Sequence, residues 1–330
     1  METANNLGER EIIETIRKQL SIEPNMPVPF GDDVSAIRQK NGNIAVLKSD
    51  MLVGKTDIPP QMSYWQAARK AIVMNISDLA AKGIEPLGLL VSLGIPRSIT
   101  KRSIVQIGKG LNAGAKEYGT SIIGGDTNET QDLIISIAAF GATKKDVTLR
   151  RGAHPGDILA TTGLFGLTLP GLKILKEKLS APLEMRKKFI DAVLMPRARL
   201  QEGLALAKTG ATTATIDSSD GLAWSLHEIS RASNIGFLID CPPFAQETFE
   251  FAKMHNLDPL KLCLYGGEEY ELIVTIEPDG WRRAQEAVFG KGGKLLKIGK
   301  ATVKHAIHLR HDNRMIDIEA KGYEHFKHKR

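Results

Sequence analysis

The sequence is poor in cysteine and in aromatic residues, and it has no long uncharged apolar run. Cys241 and Cys263 are the only cysteines, too few for a disulfide framework and without zinc-ligand spacing. Aromatic residues make up 5% of the 330 residues. No window approaches the roughly 18 to 20 uncharged residues of a membrane span, and the N-terminus lacks the basic and apolar regions of a signal peptide. We expect a cytoplasmic protein without a membrane partner.

The net charge of the chain excludes fewer classes of protein than these absences do. The formal net charge is +6, and part of the excess lies in the C-terminal "KGYEHFKHKR". A basic tail fits anionic small substrates, nucleic acid, or a solvated segment without a partner. The body of the chain lacks a basic stripe interleaved with aromatic residues, so anionic small substrates explain the charge as well as nucleic acid does. We favour a solvated tail without a partner.

Apolar periodicity predicts a mixed α+β (α/β) fold in two domains. It indicates helices over residues 9–20, 62–82, 100–118 and 221–234, and strands over 43–52, 120–125, 132–142, 156–163, 213–217, 236–240 and 271–276, with weaker strands from 294 to 318. Further helices up to Gly210 should be broken at Pro170, Pro182 and Pro196. Charge, glycine and proline rise over 143–157, so we place domains at 1–145 and 146–330.

Aspartates recur at the ends of apolar runs, beside glycine, serine or another acid. They are Asp32, Asp33, Asp50, Asp78, Asp126, Asp217 and Asp220. Each one alone fits a helix cap or a turn, as Asp126 fits a turn after a strand. Together, they are placed where a fold can direct several carboxylates into one cleft.

Clustered carboxylates repel one another and need cations to stay ionised. Oxygen ligands without histidine or cysteine favour Mg²⁺, which leaves coordination positions for water and phosphate oxygens. The pattern therefore predicts phosphoryl transfer, in which a metal-rich acidic site neutralises charge on the moving group. No Walker A sequence, kinase glycine loop or dinucleotide fingerprint is present, which argues against those nucleotide-binding folds.

Several motifs occur in a fixed order over nearly the whole chain: "GDDVSAI", "LKSDMLV", "NISDLAAKGIEP", "GGDTNE", "LRRGAHPGD", "IDSSDGL", "GGEEYEL" and "KGYEHF". In this order they resemble the thiamine-monophosphate kinase family of the aminoimidazole-ribonucleotide synthetase superfamily. The resemblance implies a homodimer whose N-terminal sheet domain forms the interface, with ATP in a cleft across it and several Mg²⁺ ions among the acids. It also implies direct transfer of the γ-phosphoryl group of ATP to thiamine monophosphate, giving thiamine diphosphate.

The resemblance assigns roles residue by residue. It implies that magnesium is held by Asp33, Ser49, Asp50, Asp78, Asp126, Asp217 and Asp220, and that the catalytic acids are Asp33, Asp50 and Asp78. The residues it implies for ATP are Gly125, Ser219 and an arginine, Arg150 or its neighbour Arg151. Those it implies for thiamine monophosphate are Asp57, Glu268 and Tyr323.

Three positions depart from the family pattern. Asp57 stands where many bacterial members have a histidine near the substrate. Glu269 is one methylene longer than the usual aspartate, and Lys48 occupies a threonine or serine position. We expect these changes to affect substrate geometry more than the metal-binding acids.

Two other functions stay open at this point. One is another ATP-using member of the superfamily, such as aminoimidazole-ribonucleotide synthetase, selenophosphate synthetase or a hydrogenase-maturation protein. Selenophosphate synthetase would need a reactive cysteine or selenocysteine near the N-terminus, which this sequence lacks. The other is a non-catalytic nucleic-acid-binding protein that uses the basic tail.

Overall fold

Two β-sheets, each built from its own part of the chain, carry the helices. The computed structural model describes residues 3–311 and 314–326. The strands are β1 Ser35–Arg38, β2 Ile44–Val53, β3 Pro86–Ile95, β4 Ile122–Glu129, β5 Ile134–Thr143, β6 Ile158–Thr161, β7 Thr212–Asp217, β8 Gly236–Ile239, β9 Leu272–Ile276, β10 Leu296–Thr302, β11 Ile307–His311 and β12 Arg314–Asp317. The fold is therefore mixed α/β with two sheets, as the sequence predicts.

The helices precede or separate these strands, singly or in groups of two or three. They are α1 Ala4–Leu7, α2 Glu9–Arg17, α3 Gly54–Asp57, α4 Tyr64–Ala81, α5 Lys101–Glu117, α6 Thr168–Glu177, α7 Leu183–Leu194, α8 Leu200–Thr209, α9 Leu222–Ser233, α10 Gln246–Met254, α11 Pro259–Tyr265 and α12 Trp281–Phe289, with a 3₁₀ turn at Pro278–Gly280. Within the described ranges, none of these helices is both long and apolar enough to cross a membrane.

The first sheet has five strands in the order β1-β2-β5-β3-β4. All neighbours are antiparallel except β3 and β4, which run parallel. One face, the inner face, buries Leu52, Ile137 and Leu89 against helix α4. The opposite, outer face leaves Leu47 and Leu90 at least 40% exposed, so this sheet presents an apolar surface.

The second sheet has seven strands in the order β12-β11-β8-β10-β6-β9-β7. Its edge strand β7 ends at Asp217 and contacts α4, which also packs on β2 and β5 of the first sheet. Helix α4 therefore lies between the two sheets. One apolar core accordingly includes residues of both, such as Ile137 and Val274.

Helix α4 begins and ends where the sequence predicts. Ser63 forms a capping box with Gln66: the Gln66 N–H donates to the Ser63 hydroxyl at 3.2 Å, and the Ser63 N–H donates to the Gln66 side chain at 2.9 Å. From Ala67 to Ala81 the helix is buried on nearly every side, including its polar and charged positions. Those buried polar side chains therefore need partners inside the protein.

The structure corrects three sequence expectations. Pro170 does not break a helix, because it lies in the first turn of α6, where its missing N–H would have no partner anyway. Asp126 is not in a turn, because β4 continues through it to Glu129. Strand β3 was not predicted at all, since its glycine-interrupted apolar run has no clear period. The basic tail from residue 327 onward lies outside the described residues.

Candidate active site

Three of the predicted metal-binding acids converge in one buried cluster. Asp33 comes from the loop before β1, Asp78 from the last turn of α4, and Asp217 from the end of β7. One carboxylate oxygen from each lies within 4.8 Å of the others, and all three residues are buried. These acids come from three separate sequence motifs, so it is the tertiary fold that brings their carboxylates together.

Two cations neutralise the part of the cluster around Asp33. The Lys82 ammonium lies 2.6 Å from Asp32 Oδ1 and 2.8 Å from Asp33 Oδ2, and it donates to the Thr215 carbonyl at 2.9 Å. The Arg150 Nε donates to Asp33 Oδ1 at 2.8 Å. Burial would raise the pKa of Asp33, but these two charges outweigh burial and hold that pKa below its ordinary value.

The negative charge of Asp78 is less well neutralised than that of Asp33. Burial raises the pKa of the Asp78 carboxyl well above its ordinary value, and the charges of Asp217, Asp33 and Asp50 raise it further, against the opposing charge of Lys48. The last turn of a helix also disfavours an anion, because the backbone carbonyls point there. Asp78 is thus a carboxylate whose ionised form requires a nearby cation.

Asp217 and Asp220 also lie at the site. The Ser77 hydroxyl donates to Asp217 Oδ2 at 2.7 Å. Burial and the charge of Asp33 raise the pKa of Asp217 to about 6. Burial and the charge of Glu9 raise that of Asp220 to about 7. Asp220 stands three residues beyond Asp217, outside the cluster of three acids.

Two further residues of the predicted metal set face away from this cluster. Along β2, side chains alternate between faces, so Ser49 points to the outer face while Asp50 points inward. Asp126 pairs with Ser92, which pairs with Ser136 of β5. Since Ser136 pairs with the outward-facing Met51, Asp126 also lies on the outer face. A single chain therefore does not bring Ser49 or Asp126 to Asp78.

The three residues predicted for ATP are in different situations. Gly125 passes so close to β3 that an added Cβ would lie 1.9 Å from the Val91 carbonyl oxygen, so no larger residue fits there. Ser219 is exposed on the turn that follows β7. Arg150 reaches the acid cluster, whereas the exposed Arg151 makes none of these contacts. Arg150 is therefore the one of the two arginines that lies at the acid cluster.

Two of the three residues predicted for thiamine monophosphate, Asp57 and Glu268, are joined by a lysine that the sequence did not reveal. The wholly buried Lys70 of α4 donates to the carboxylate of Glu268 and, at 3.1 Å, to the carbonyl of Asp57. Burial and the charges of Asp57 and Glu268 raise the pKa of Tyr323 to about 12. In the sequence, Lys70 stands beside Arg69 on a predicted helix, and nothing there distinguishes it as a residue of the site.

Backbone strain marks the same region. Glu268 and Tyr270 have φ values of 65° and 52°, which are unfavourable for residues other than glycine. The Glu268 N–H donates to the Ser219 carbonyl at 2.6 Å, and the Tyr270 N–H donates to the Ser218 carbonyl at 2.9 Å. The motifs "SSDGL" and "GGEEYEL" are therefore bound to each other through their backbones.

Glu269, one of the three departures, points away from this site. Its carboxylate accepts the N–H groups of Gly166 at 2.8 Å and Leu167 at 3.0 Å, at the start of α6. It therefore supports a helix N-terminus. The expectation that this longer acid would alter substrate geometry has no support in these contacts.

The fold and the acid cluster define a two-sheet protein of the aminoimidazole-ribonucleotide synthetase class. Residues 31–143 match the family described as AIR synthase related protein, N-terminal domain. The structure is similar to that of AaThiL complexed with AMPPCP and TMP, with a TM-score of 0.85, 23% identity, and coverage of 98% of this chain and 99% of that one. It is also similar to the protein tt0281 from Thermus thermophilus, with a TM-score of 0.83, 28% identity, and coverage of 92% and 97%.

Sequence relatives narrow the class further. The chain is 34% identical to the thiamine-monophosphate kinase of Nitrosopumilus maritimus over 323 residues, which cover 98% of this chain and all of the relative. It is 36% identical to the thiamine-monophosphate kinase of Pyrococcus horikoshii over 301 residues, or 90% of this chain and 91% of the relative. The chain belongs to the thiamine-monophosphate kinase family.

Proposed function

We propose that this protein transfers the γ-phosphoryl group of ATP to thiamine monophosphate, forming thiamine diphosphate and ADP with Mg²⁺ bound at the site. The observation that carries the proposal is the meeting of Asp33, Asp78 and Asp217 in one buried cluster in a chain of this family. The cluster also lies at one end of α4, and Lys70, which links Asp57 to Glu268, lies further back along the same helix.

The acid cluster fits magnesium on chemical grounds. All the donors of the cluster are carboxylate oxygens, which Mg²⁺ prefers. Burial, together with the neighbouring acids, raises the pKa of Asp78, so its ionised form would be favoured by a bound cation. Asp33, Asp50, Asp78 and Asp217 would hold the metal, with Ser49, Asp126 and Asp220 completing the proposed set. Bound Mg²⁺ would supply neutralisation of the phosphoryl charge and orientation of its oxygens.

The chain's own side chains do the remaining work in this proposal. Arg150 fixes the Asp33 carboxylate with two donors of its guanidinium fork. It would also bring positive charge to the nucleotide phosphates. Glu268 and Asp57 would bind the cationic and polar parts of thiamine monophosphate, while Tyr323 would stack on one of its rings. Lys70 holds Glu268 in place. Gly125 and Ser219 would contact the nucleotide.

A direct assay tests this function. The protein is incubated with Mg-ATP and thiamine monophosphate, and thiamine diphosphate is followed by chromatography beside a sample without Mg²⁺. Metal-dependent thiamine diphosphate supports the proposal. ATP binding without this product would direct attention to substrates of other superfamily members, and salt-sensitive binding of RNA or DNA without ATP turnover would favour the nucleic-acid reading.

Magnesium should stabilise the protein more at about pH 8 than at about pH 5.5. Burial raises the pKa of Asp217 to about 6 and that of Asp220 to about 7, so protons compete with the metal at the lower pH. A carboxyl whose pKa is higher in the folded state stabilises the metal-free fold below its ordinary pKa. That stability is lost as the pH rises through the folded value. Melting curves with MgCl₂ and with EDTA at both pH values measure the difference, and equal shifts would contradict the expectation.

We also propose that the protein is a homodimer. In this proposal residues 1–145 form the interface and residues 146–330 complete the active site. The outer face of the first sheet supports this, because Leu47, Met51 and Leu90 are 41%, 51% and 47% exposed on a surface of neighbouring strands. Large exposed apolar patches mark interaction sites. Asp126 and Ser49 lie on this face, so a second chain covering it would bring them into a shared cleft.

Leu90→Lys should weaken the dimer by about two orders of magnitude, because a two-fold interface would bury the new charge twice. The fold should survive, since Leu90 is already half exposed. Light scattering at several protein concentrations measures the change. Leu183→Lys, at a 79% exposed position on α7, is the matched control. A wild-type protein that is monomeric at micromolar concentration would refute the proposal.

A further inference from the structure

Lys48 places a positive charge inside the acid cluster. It lies on the inner face of β2, two residues before Asp50, and its ammonium is 3.1 Å from Asp78 Oδ2 and 3.9 Å from Asp50 Oδ2. Its side chain is 21% exposed, so the charge sits mostly among protein groups.

The cluster divides into a part that is already neutral and a part that depends on Lys48. Lys82 and Arg150 neutralise Asp32 and Asp33. The carboxylates that remain are Asp50 and Asp78, which the Lys48 ammonium contacts, and Asp217, which lies within 4.8 Å of Asp78. These three acids exceed Lys48 by two negative charges, which one divalent cation would balance. With a neutral residue at position 48, the excess would be three.

An ammonium between two carboxylates occupies the position that a bridging metal ion would take. A divalent ion bridging Asp78 and Asp50 would need an oxygen of each at about 2.1 Å. The Lys48 ammonium is 3.1 Å from Asp78 Oδ2 and 3.9 Å from Asp50 Oδ2, so it already brings a positive charge to both carboxylates. Two cations cannot share this space without strong repulsion.

We infer that Lys48 takes the place of one divalent cation between Asp78 and Asp50, so that this protein binds fewer metal ions than it would with a neutral residue there. The inference rests on the proposed function, because it assumes that the acid cluster holds metal. It makes Lys48 a positioning residue for the acids, which keep their arrangement even without metal. It also predicts a chain less dependent on metal for its stability.

Counting bound metal tests the inference directly. Mn²⁺ is titrated into the full-length protein saturated with a non-hydrolysable ATP analogue, and free Mn²⁺ is measured by electron paramagnetic resonance. We expect Lys48→Thr to bind about one more Mn²⁺ ion per chain than the wild type. Lys48→Gln serves if the threonine variant does not fold. Lys40→Thr, at an exposed position in the turn before β2, makes the same charge change outside the cluster and should leave the count unchanged.

A second readout separates metal replacement from an ordinary ion pair. In EDTA, Lys48→Thr should melt about 5 °C below the wild type, and saturating Mn²⁺ should recover most of this loss. Loss of stability without an additional ion would overturn the inference, as would identical ion counts. Thiamine diphosphate formation by the wild-type sample is measured in parallel. If the wild type forms product and binds metal while the counts agree, only the inference fails; if the wild type binds no Mn²⁺, the proposed function fails too.

Discussion

Replacing Asp78 with asparagine should lower the rate of thiamine diphosphate formation by about a thousandfold or more. Asp78 lies at the centre of the acid cluster, within 4.8 Å of Asp33 and Asp217 through its carboxylate. Asparagine preserves the shape of the side chain but removes the charge that would hold magnesium. The measurement is kcat at saturating Mg²⁺, ATP and thiamine monophosphate. Turnover near that of the wild type would exclude Asp78 from the catalytic set.

The melting temperature of Asp78→Asn should not fall, although its catalytic rate does. Because burial and the neighbouring acids raise the pKa of Asp78, its ionised form destabilises the metal-free fold at pH values above that raised pKa. Asp78→Asn should therefore melt at the same temperature as the wild type, or higher, in EDTA at about pH 8. Asp191→Asn, at an exposed position near the end of α7, controls for the chemical change alone. A large loss of melting temperature would instead assign Asp78 a structural role.

Lys82→Met should destabilise the protein by about 3 to 5 kcal/mol, which is the usual effect of removing one partner of a buried ion pair. The Lys82 side chain has no exposed surface, and both Asp32 and Asp33 lie within hydrogen-bonding distance of its ammonium. Methionine fills a similar volume but leaves these acids with Arg150 as their remaining cation. The Thr215 carbonyl also loses a donor.

Urea unfolding in EDTA measures this loss, and Lys109→Met on the exposed side of α5 is the control. Magnesium should restore part of the stability, because it would supply charge to the same acids. A change within about 0.5 kcal/mol of the control would contradict the expectation. It would mean that Asp32 and Asp33 find other partners or become protonated when Lys82 is absent.

The sequence predicted those features that depend on local pattern. Helix α4 was predicted within two residues at each end, because Ser63 caps it and its neighbours do not interrupt it. The position of acids at segment ends also indicated a shared cleft, and Asp33, Asp78 and Asp217 do meet. Each of these inferences needed only the period of the apolar residues or the chemistry of a helix end. The division into domains near residue 145 remains a prediction.

Two cations of the site, Lys70 and Lys82, could not be predicted, because their partners lie in distant segments of the chain. Lys82 reaches acids fifty residues earlier in the chain, and Lys70 reaches Glu268 across 198 positions. In the sequence, both lysines look like ordinary charged residues of a helix. The faces of Ser49 and Asp126 were equally inaccessible, since they depend on strand register. Sequence motifs identified the anionic groups, whereas only three-dimensional pairing identified their counter-ions.

Helix α4 fixes the distance between the two parts of the proposed active site. Lys70, beside the residues proposed for thiamine monophosphate, and Asp78, in the acid cluster, lie on this one helix. At 1.5 Å per residue, the eight steps between them span about 12 Å. Because the helix is buried between two sheets, that separation cannot adapt to the acceptor. In the proposed reaction, an acceptor bound at Glu268 would reach the acid cluster only if its phosphate lay at a matching distance from that residue. The buried helix would then select acceptors by their length.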